Sequence, residues 1–516
     1  MTARVQTMQV NRRHLLQTGG AGVMTFAFGA ATTPVFAQGT PEADVLDDLV
    51  IDLAGVPESI DPALAYSSRD WSVVHSIYDS IVQFGPDGAI QPLAASAFTT
   101  EDSTTFEVAL REGLTFHDGT PVTTAAISRS VAYMKESGSS ASSLFAGIVE
   151  VQEDADGLTA RIVCDQPSPW LPAQLAPWLL LLPESFSHEQ ALESPVGSGP
   201  YRFESQEQGN FITLVRNEDY TWGSSKGVPM ANRVTFRFVP ESATRIADLS
   251  TGAAQIVTEI PVDQLPEVES QGGNAVEEPI VASAFIRIAT DVEPFDNPDV
   301  RLALNHALDV QSIATALVSP MSTRLGSLFP DERSMAFNPD VEPFEYDPER
   351  ARELLSGAGI DELEIEIEVT SGARTDVAEA IAAQLGDVGI SASITVSEYA
   401  EFNATWAEPT APALRLVTWG PLYDPHTLLS LVFASDGFLS RYRNAEVDRL
   451  IQAAAVESDP EQRAAHYQEL SAVMSGDAPA VFLWNLTSAY GVADQAMGWQ
   501  PRGDDYVIPT IEKTTS

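Results

Sequence analysis

The chain of 516 residues predicts an α/β fold, and three neighbouring stretches carry that prediction. Residues 347–359 have the caps and apolar spacing of a helix, residues 363–369 alternate like a strand, and residues 376–396 repeat the order, helix then strand. Units of this kind build layered α/β domains. In chain order, Leu49–Leu53 is the first short apolar strand. Asp118-Gly119-Thr120-Pro121 is a turn feeding a helix, because Asp and Gly tolerate tight turns. Asp347 is an N-cap and Pro348 occupies the first helical position. Ala351, Leu354, Leu355 and Ala358 then recur at helical spacing, and Gly359 ends the helix. Leu363–Val369 alternates strictly, so its isoleucines are expected to face a core and its glutamates water. A second helix runs from about Asp376 to Leu385 and a strand from about Ser391 to Val396.

The N-terminus reads as an export signal. Arg12-Arg13 precedes Leu15-Leu16 in a twin-arginine pattern, a weakly apolar stretch follows, and Val35-Phe36-Ala37 ends it with a small residue. Such a segment is a signal peptide, expected here over residues 1–37 with cleavage after Ala37. No later run approaches the roughly 18 apolar residues that a membrane span requires. No cysteine follows the apolar stretch, so no lipid anchor is expected there. Cys164 is the only cysteine, so no internal disulfide can form. A soluble protein of the periplasm follows.

The formal net charge is −45, and removing the three arginines of the leader leaves 25 basic and 73 acidic residues, a net of −48. Such a surface repels nucleic acid and anionic lipid. It reads as a solvated acidic shell suited to a saline habitat rather than as an acidic binding site.

Residues 81–123 hold a longer pattern. Ile81-Val82-Gln83-Phe84, Gly88, Pro92-Leu93-Ala94 and Phe106 lead into Leu110-Arg111-Glu112-Gly113-Leu114-Thr115-Phe116-His117-Asp118-Gly119-Thr120-Pro121-Val122-Thr123. Further segments follow in order. They are Ser194–Phe203 with Gly197-Ser198-Gly199-Pro200-Tyr201, Val215–Tyr220, Val300–Asp309, Arg441–Asp448 and Ala478–Phe482. Together they resemble the peptide/nickel-type extracytoplasmic solute-binding proteins, the receptors that deliver cargo to ATP-driven importers. The resemblance implies a two-lobed periplasmic binding protein fold with a hinge and an extra subdomain in lobe I. Lobe I would cover 44–272 and return at 482–516, with the subdomain at about 81–194, and lobe II would fill 273–481. The hinge crossings would lie near Glu278–Ala284 and Pro479–Trp484.

The same resemblance points to ligand-binding residues. Trp419 and Tyr423, in Thr418-Trp419-Gly420-Pro421-Leu422-Tyr423-Asp424-Pro425-His426, match residues that touch the chelate in nickel-chelate receptors. Tyr66 and Trp71, after Asp61-Pro62, match cleft positions on lobe I, and Asn403 matches one on lobe II. Peptide receptors carry an acid three residues after the tryptophan, and here that place is Leu422. A buried ammonium facing leucine would lose its partner, which disfavours a peptide held by its N-terminus. The arginines expected for an anionic chelator are Ala176 and Leu179, and the expected histidine is Gly437. Without the resemblance Trp419 reads as core, Asp424 as a cap and His426 as a first-turn surface residue.

Catalytic readings are weak. His117 beside Asp118 has no nucleophile or third partner indicated in the sequence. Gly197 and Gly199 are not followed by Lys-Ser/Thr, so they form no P-loop. There is no H-E-x-x-H, and the remaining histidines show no ligand spacing. No catalytic residue, metal or cofactor is assigned. The expectation is a monomeric periplasmic receptor that captures a small solute, peptide- or opine-like or another organic compound. It would hand this to the permease subunits of an ABC transporter. A nickel-chelate receptor is the alternative, and a hydrolase or a chaperone on the same fold is the rival from another class.

Overall fold

The computed structural model describes residues 45–370 and 375–511. The leader read at 1–37 lies outside them. Ten strands form one sheet, whose middle is a pair of long antiparallel strands, Asn274–Ile288 and Ala480–Val492. On one side lie Leu414–Trp419, Leu363–Thr370 and Ile390–Ser397. On the other lie Ile256–Val257, Leu46–Leu53, Ala231–Phe238, Phe211–Arg216 and Tyr201–Glu207. Each half has parallel pairs, such as Leu46–Leu53 with Ala231–Phe238 and Leu363–Thr370 with Ile390–Ser397. Their connections include helices, as parallel crossovers require.

The apolar clusters divide along the same line. One gathers Leu49, Val234, Phe236 and Tyr490, and another gathers Ile286, Leu304, Ile367 and Leu483. The long strands are shared by these two lobes. Between Pro279 and Phe285 their register slips twice. A bulge bends its strand and increases the local twist. Along Ala480–Val492 the packing passes from one cluster at Trp484 to the other at Tyr490. A separate antiparallel sheet of four strands within 95–164, with its own core around Phe106 and Ile162, forms the subdomain.

The local reading of 347–397 corresponds closely to these elements. The helix spans Pro348–Gly357, with the Asp347 carboxylate accepting from Arg350 N–H at 2.9 Å, and buries Ala351, Leu354 and Leu355. The strand Leu363–Thr370 departs from expectation at Glu368, which is 3% exposed. Its carboxylate lies 2.6 Å from Arg415, itself fully buried in a neighbouring strand, and accepts from the Ser397 hydroxyl at 2.6 Å. A buried guanidinium needs a counter-charge, and that need overrides the alternation.

The recurring motif residues are largely structural. A Cβ on Gly197 would come within 2.1 Å of the Ile77 carbonyl oxygen, so only glycine allows that approach. His117 Nε2 donates to Gly199 O at 3.1 Å and its Nδ1 accepts from Gly197 N–H at 3.2 Å. Burial pushes its pKa down to about 4, so the ring stays neutral. Asn305 bonds Ala480 O and Phe482 N–H, clamping one of the two bridging strands to a helix of lobe II.

Candidate functional site

Between the lobes lies a cavity of about 1170 Å³. Ala284, Trp484 and Leu486 of the bridging strands reach it, and the lobes supply its walls.

The lobe I wall starts at the helix Ser68–Ile77. Ser67 caps it, accepting from Asp70 N–H at 3.2 Å. Asp70 answers by accepting from the N–H groups of Tyr66 and Ser67 at 2.9 and 3.0 Å. This capping box holds the chain entry rigidly, so Tyr66, Arg69 and Trp71 face the cavity from fixed positions. Trp178, at the end of the helix Leu171–Trp178, crosses Trp71 edge-on at 4.7 Å and 87° and lies 5.5 Å from Tyr66. Deeper in the lobe the buried Lys226 ammonium donates to Asp79 at 2.6 Å and to His75 O and Tyr78 O at 2.9 Å. His75 is held neutral, its pKa pushed well down by burial and by the Lys226 charge.

The lobe II wall is the end of the strand Leu414–Trp419 and the loop after it. Trp419 is half-buried, and Trp406 meets it edge-on at 6.2 Å and 80°. Asn403 is an exposed residue of the short helix Tyr399–Ala404.

Three of the described lining residues are ionic: Arg69, Glu259 and Asp424. Asp424 accepts from His426 N–H at 2.9 Å and is gripped by the buried Arg463 at 2.6 and 3.0 Å. Its charge is satisfied within lobe II. Arg69 gives Nε and Nη2 to the two Glu259 oxygens at 2.7 and 2.8 Å. Their side chains are 36% and 40% exposed. The described lining holds no Ser, Cys, His or Lys. Nor does any group of three or more His, Cys, Asp or Glu among the described residues have the geometry to hold a metal ion.

Of the residues singled out from sequence, Tyr66, Trp71, Asn403 and Trp419 line this cavity and Tyr423 does not. Tyr423 is 6% exposed. Its ring lies 4.4 Å from Phe84 of lobe I, and Cβ atoms on Gly88 and Gly503 would strike it at 2.7 and 2.5 Å. It is packing between lobes rather than cavity wall. Leu422 also points away, 1% exposed in the lobe II core, with its N–H on Val281 O at 2.7 Å. Ala176 and Leu179 are core residues of the subdomain, whereas Gln174, Pro177 and Trp178 beside them reach the cavity. Gly437 is absent from the lining, and Phe438 and Leu439 follow it there. His426 is half-buried: its ring stacks on Trp170 of the subdomain at 4.5 Å and 16°, and burial pushes its pKa down to about 4.

Sequence reasoning missed Arg69 and Glu259, and the rings of Trp178, Trp406 and Trp484. Arg69 stands between Tyr66 and Trp71 and was open to notice. Glu259 had no local signal, because its partner is 190 positions away.

Residues 89–440 match the family described as bacterial extracellular solute-binding proteins, family 5, middle. The chain is 27% identical over 501 residues to the glutathione-binding protein GsiB of Pectobacterium atrosepticum, covering 93% of this chain and 94% of that one. Its fold is similar to the periplasmic binding protein DppA of Helicobacter pylori, solved with the peptide STSA. There the TM-score is 0.78 at 23% identity, over 91% of this chain and 99% of that one. It is also similar to NikA of Staphylococcus aureus, solved with Ni(L-His)2, with a TM-score of 0.76 at 20% identity over 90% and 98% of the two chains. No helix among the described residues is long and apolar enough to cross a membrane.

Proposed function

The chain belongs to the bacterial extracellular solute-binding proteins, family 5, and from that premise we propose a monomeric periplasmic receptor that captures a peptide- or opine-like organic solute for an ABC importer. It carries out no reaction on its cargo. One observation carries this reading: a single cavity of about 1170 Å³ has aromatic walls from both lobes. A solute bound there touches both lobes only when they are closed, and that difference in affinity drives closure. The rings supply shape and stacking, each worth about 0.5–1.5 kcal/mol beyond area burial. The similar proteins, named for glutathione or solved with a peptide and a nickel–histidine complex, agree with a small polar cargo. A nickel chelate is the less favoured of these. Among the described lining residues the one cation, Arg69, already faces Glu259, and no arginine stands where a chelator's carboxylates were expected. A cavity between lobes with no Ser, Cys or His among its described lining residues also speaks for capture over hydrolysis or chaperoning.

Protein purified from the periplasm should release a small molecule on denaturation, identifiable by mass spectrometry. The same molecule should change tryptophan fluorescence when added back to stripped protein. Failure of both, with a panel of di- to pentapeptides and opines also silent, would refute solute capture. Delivery through the twin-arginine route is part of the proposal. Changing Arg12 and Arg13 to Lys should leave the precursor in the cytoplasm, and the periplasmic protein should begin at Gln38.

A further inference from the structure

Among the described residues that line the cavity, one ionic pair is not already satisfied elsewhere in a lobe core, Arg69 with Glu259. Three features set it apart from an ordinary surface salt bridge. It faces the space that the two lobes enclose. It is bidentate, and it uses two of the five N–H donors of a guanidinium. Its acid also sits on a backbone that glutamate seldom adopts, with φ +50° in the left-handed region.

That backbone is held from behind. Arg245, 2% exposed, gives Nε to Thr258 O at 3.0 Å and Nη2 to Glu259 O at 2.9 Å. Its Nη1 reaches Val239 O and Pro240 O, both at 2.7 Å. One buried guanidinium thus pins both stretches of backbone that carry the Glu259 wall. On the other side, a Cβ on Gly55 would press within 3.0 Å of Arg69 Nη1, so the bare glycine leaves the guanidinium its place. Strain that the surroundings over-determine is a mark of a pre-organised site.

Resting on the solute-capture reading, we propose that Arg69 and Glu259 seat an amino-acid head, a ligand end carrying an ammonium and a carboxylate on the same carbon. The carboxylate takes the open donors of Arg69, and the ammonium takes the Glu259 oxygens. Charge balance on closure favours such a head. When the lobes close, water leaves, and a charge without a partner becomes costly. A lone carboxylate would draw Arg69 away and strand Glu259. A lone ammonium would strand Arg69. A head with both charges on one carbon has the same net charge as the pair, zero, and leaves every group partnered. Trp71 and Tyr66, flanking Arg69 on the same wall, pack against the rest of the ligand.

Two isomeric dipeptides test this, γ-Glu-Phe and α-Glu-Phe. They share mass, net charge and aromatic ring, but only the γ-linked isomer has its ammonium and a carboxylate on one carbon. Titrations of stripped full-length protein, read by calorimetry, should show the γ isomer bound at least about tenfold more tightly, the scale expected when a bidentate charged contact is lost. Arg69→Gln and Glu259→Gln should each erase the preference, and Glu259→Gln decides alone if Arg69→Gln does not fold. Equal affinities, a preference for the α isomer, no binding of either, or a preference that survives in folded variants would overturn the assignment. The solute released from periplasmic protein is titrated in parallel. If it binds while the isomers bind alike or not at all, only the head assignment falls. If nothing binds, the solute-capture reading falls with it.

Discussion

The two walls of the cleft use the same kind of residue and hold it in opposite ways. On lobe I, Trp71 is 5% exposed, crossed by Trp178 and backed by Tyr506 at 6.1 Å. It belongs to the lobe core and reaches the cavity from there. On lobe II, Trp419 is half-buried at a strand end, and its ring contact is edge-on with Trp406 at 6.2 Å. Lobe I also carries the ionic pair with open donors, whereas Asp424, which lines the cavity from lobe II, is satisfied by Arg463. A fixed, charged platform thus faces a more adaptable apolar wall. The lesson is that a cleft tryptophan is not one category. What packs behind the ring decides whether its loss costs folding or binding.

The largest expected effect breaks the comparison if it is wrong. Trp71→Ala should lower stability by about 3–5 kcal/mol, as for a large ring removed from a core. Trp419→Ala should cost about 1 kcal/mol or less of stability and weaken binding about tenfold, or about 1.4 kcal/mol. Urea unfolding and a fluorescence titration measure the two. Similar stability losses at both positions would erase the distinction between the walls.

Tyr423 sharpens it next. Packed between Phe84, Gly88 and Gly503, it should behave like Trp71, with Tyr423→Ala costing about 3 kcal/mol in urea unfolding. A stable variant with binding alone reduced would return it to the ligand.

The smallest effect concerns the contact between the walls. His426 is neutral in the folded protein, with its pKa lowered to about 4, and titrates near 6.5 in an unfolded chain. As pH falls from about 6.5 to 4 the unfolded chain takes up the proton first. The contribution of His426 is therefore complete above about 6.5 and is lost on the way down to 4. His426→Gln should make the fall in Tm between pH 7 and pH 5 shallower than in the wild type. Identical slopes would show that the stacked ring accepts a proton without cost.

Much of the fold was legible locally, and so was half of the site. The helix Pro348–Gly357 was readable because a cap, an N1 proline and a stopping glycine all act within one or two turns. Four of the five proposed ligand residues were found through their resemblance to cleft positions, and they line the cavity. Glu368 misled, because alternation cannot report that Arg415 lies opposite it. Leu422 and Tyr423 misled for a related reason: whether a loop residue turns to the cavity or the core depends on what the other lobe puts against it.

By itself the sequence determined the α/β class, the order of its elements and the acidic balance of the chain, since caps, alternation and composition act through neighbours or through sums. Only the tertiary structure decided that the two bridging strands slip in register between Pro279 and Phe285. It alone decided that Arg69 meets Glu259 across 190 positions, and that Trp170 stacks on His426 across the lobes. The physical reason is that such contacts are set by strand pairing and packing over the whole sheet, and no local spacing encodes which distant backbone will arrive beside a side chain.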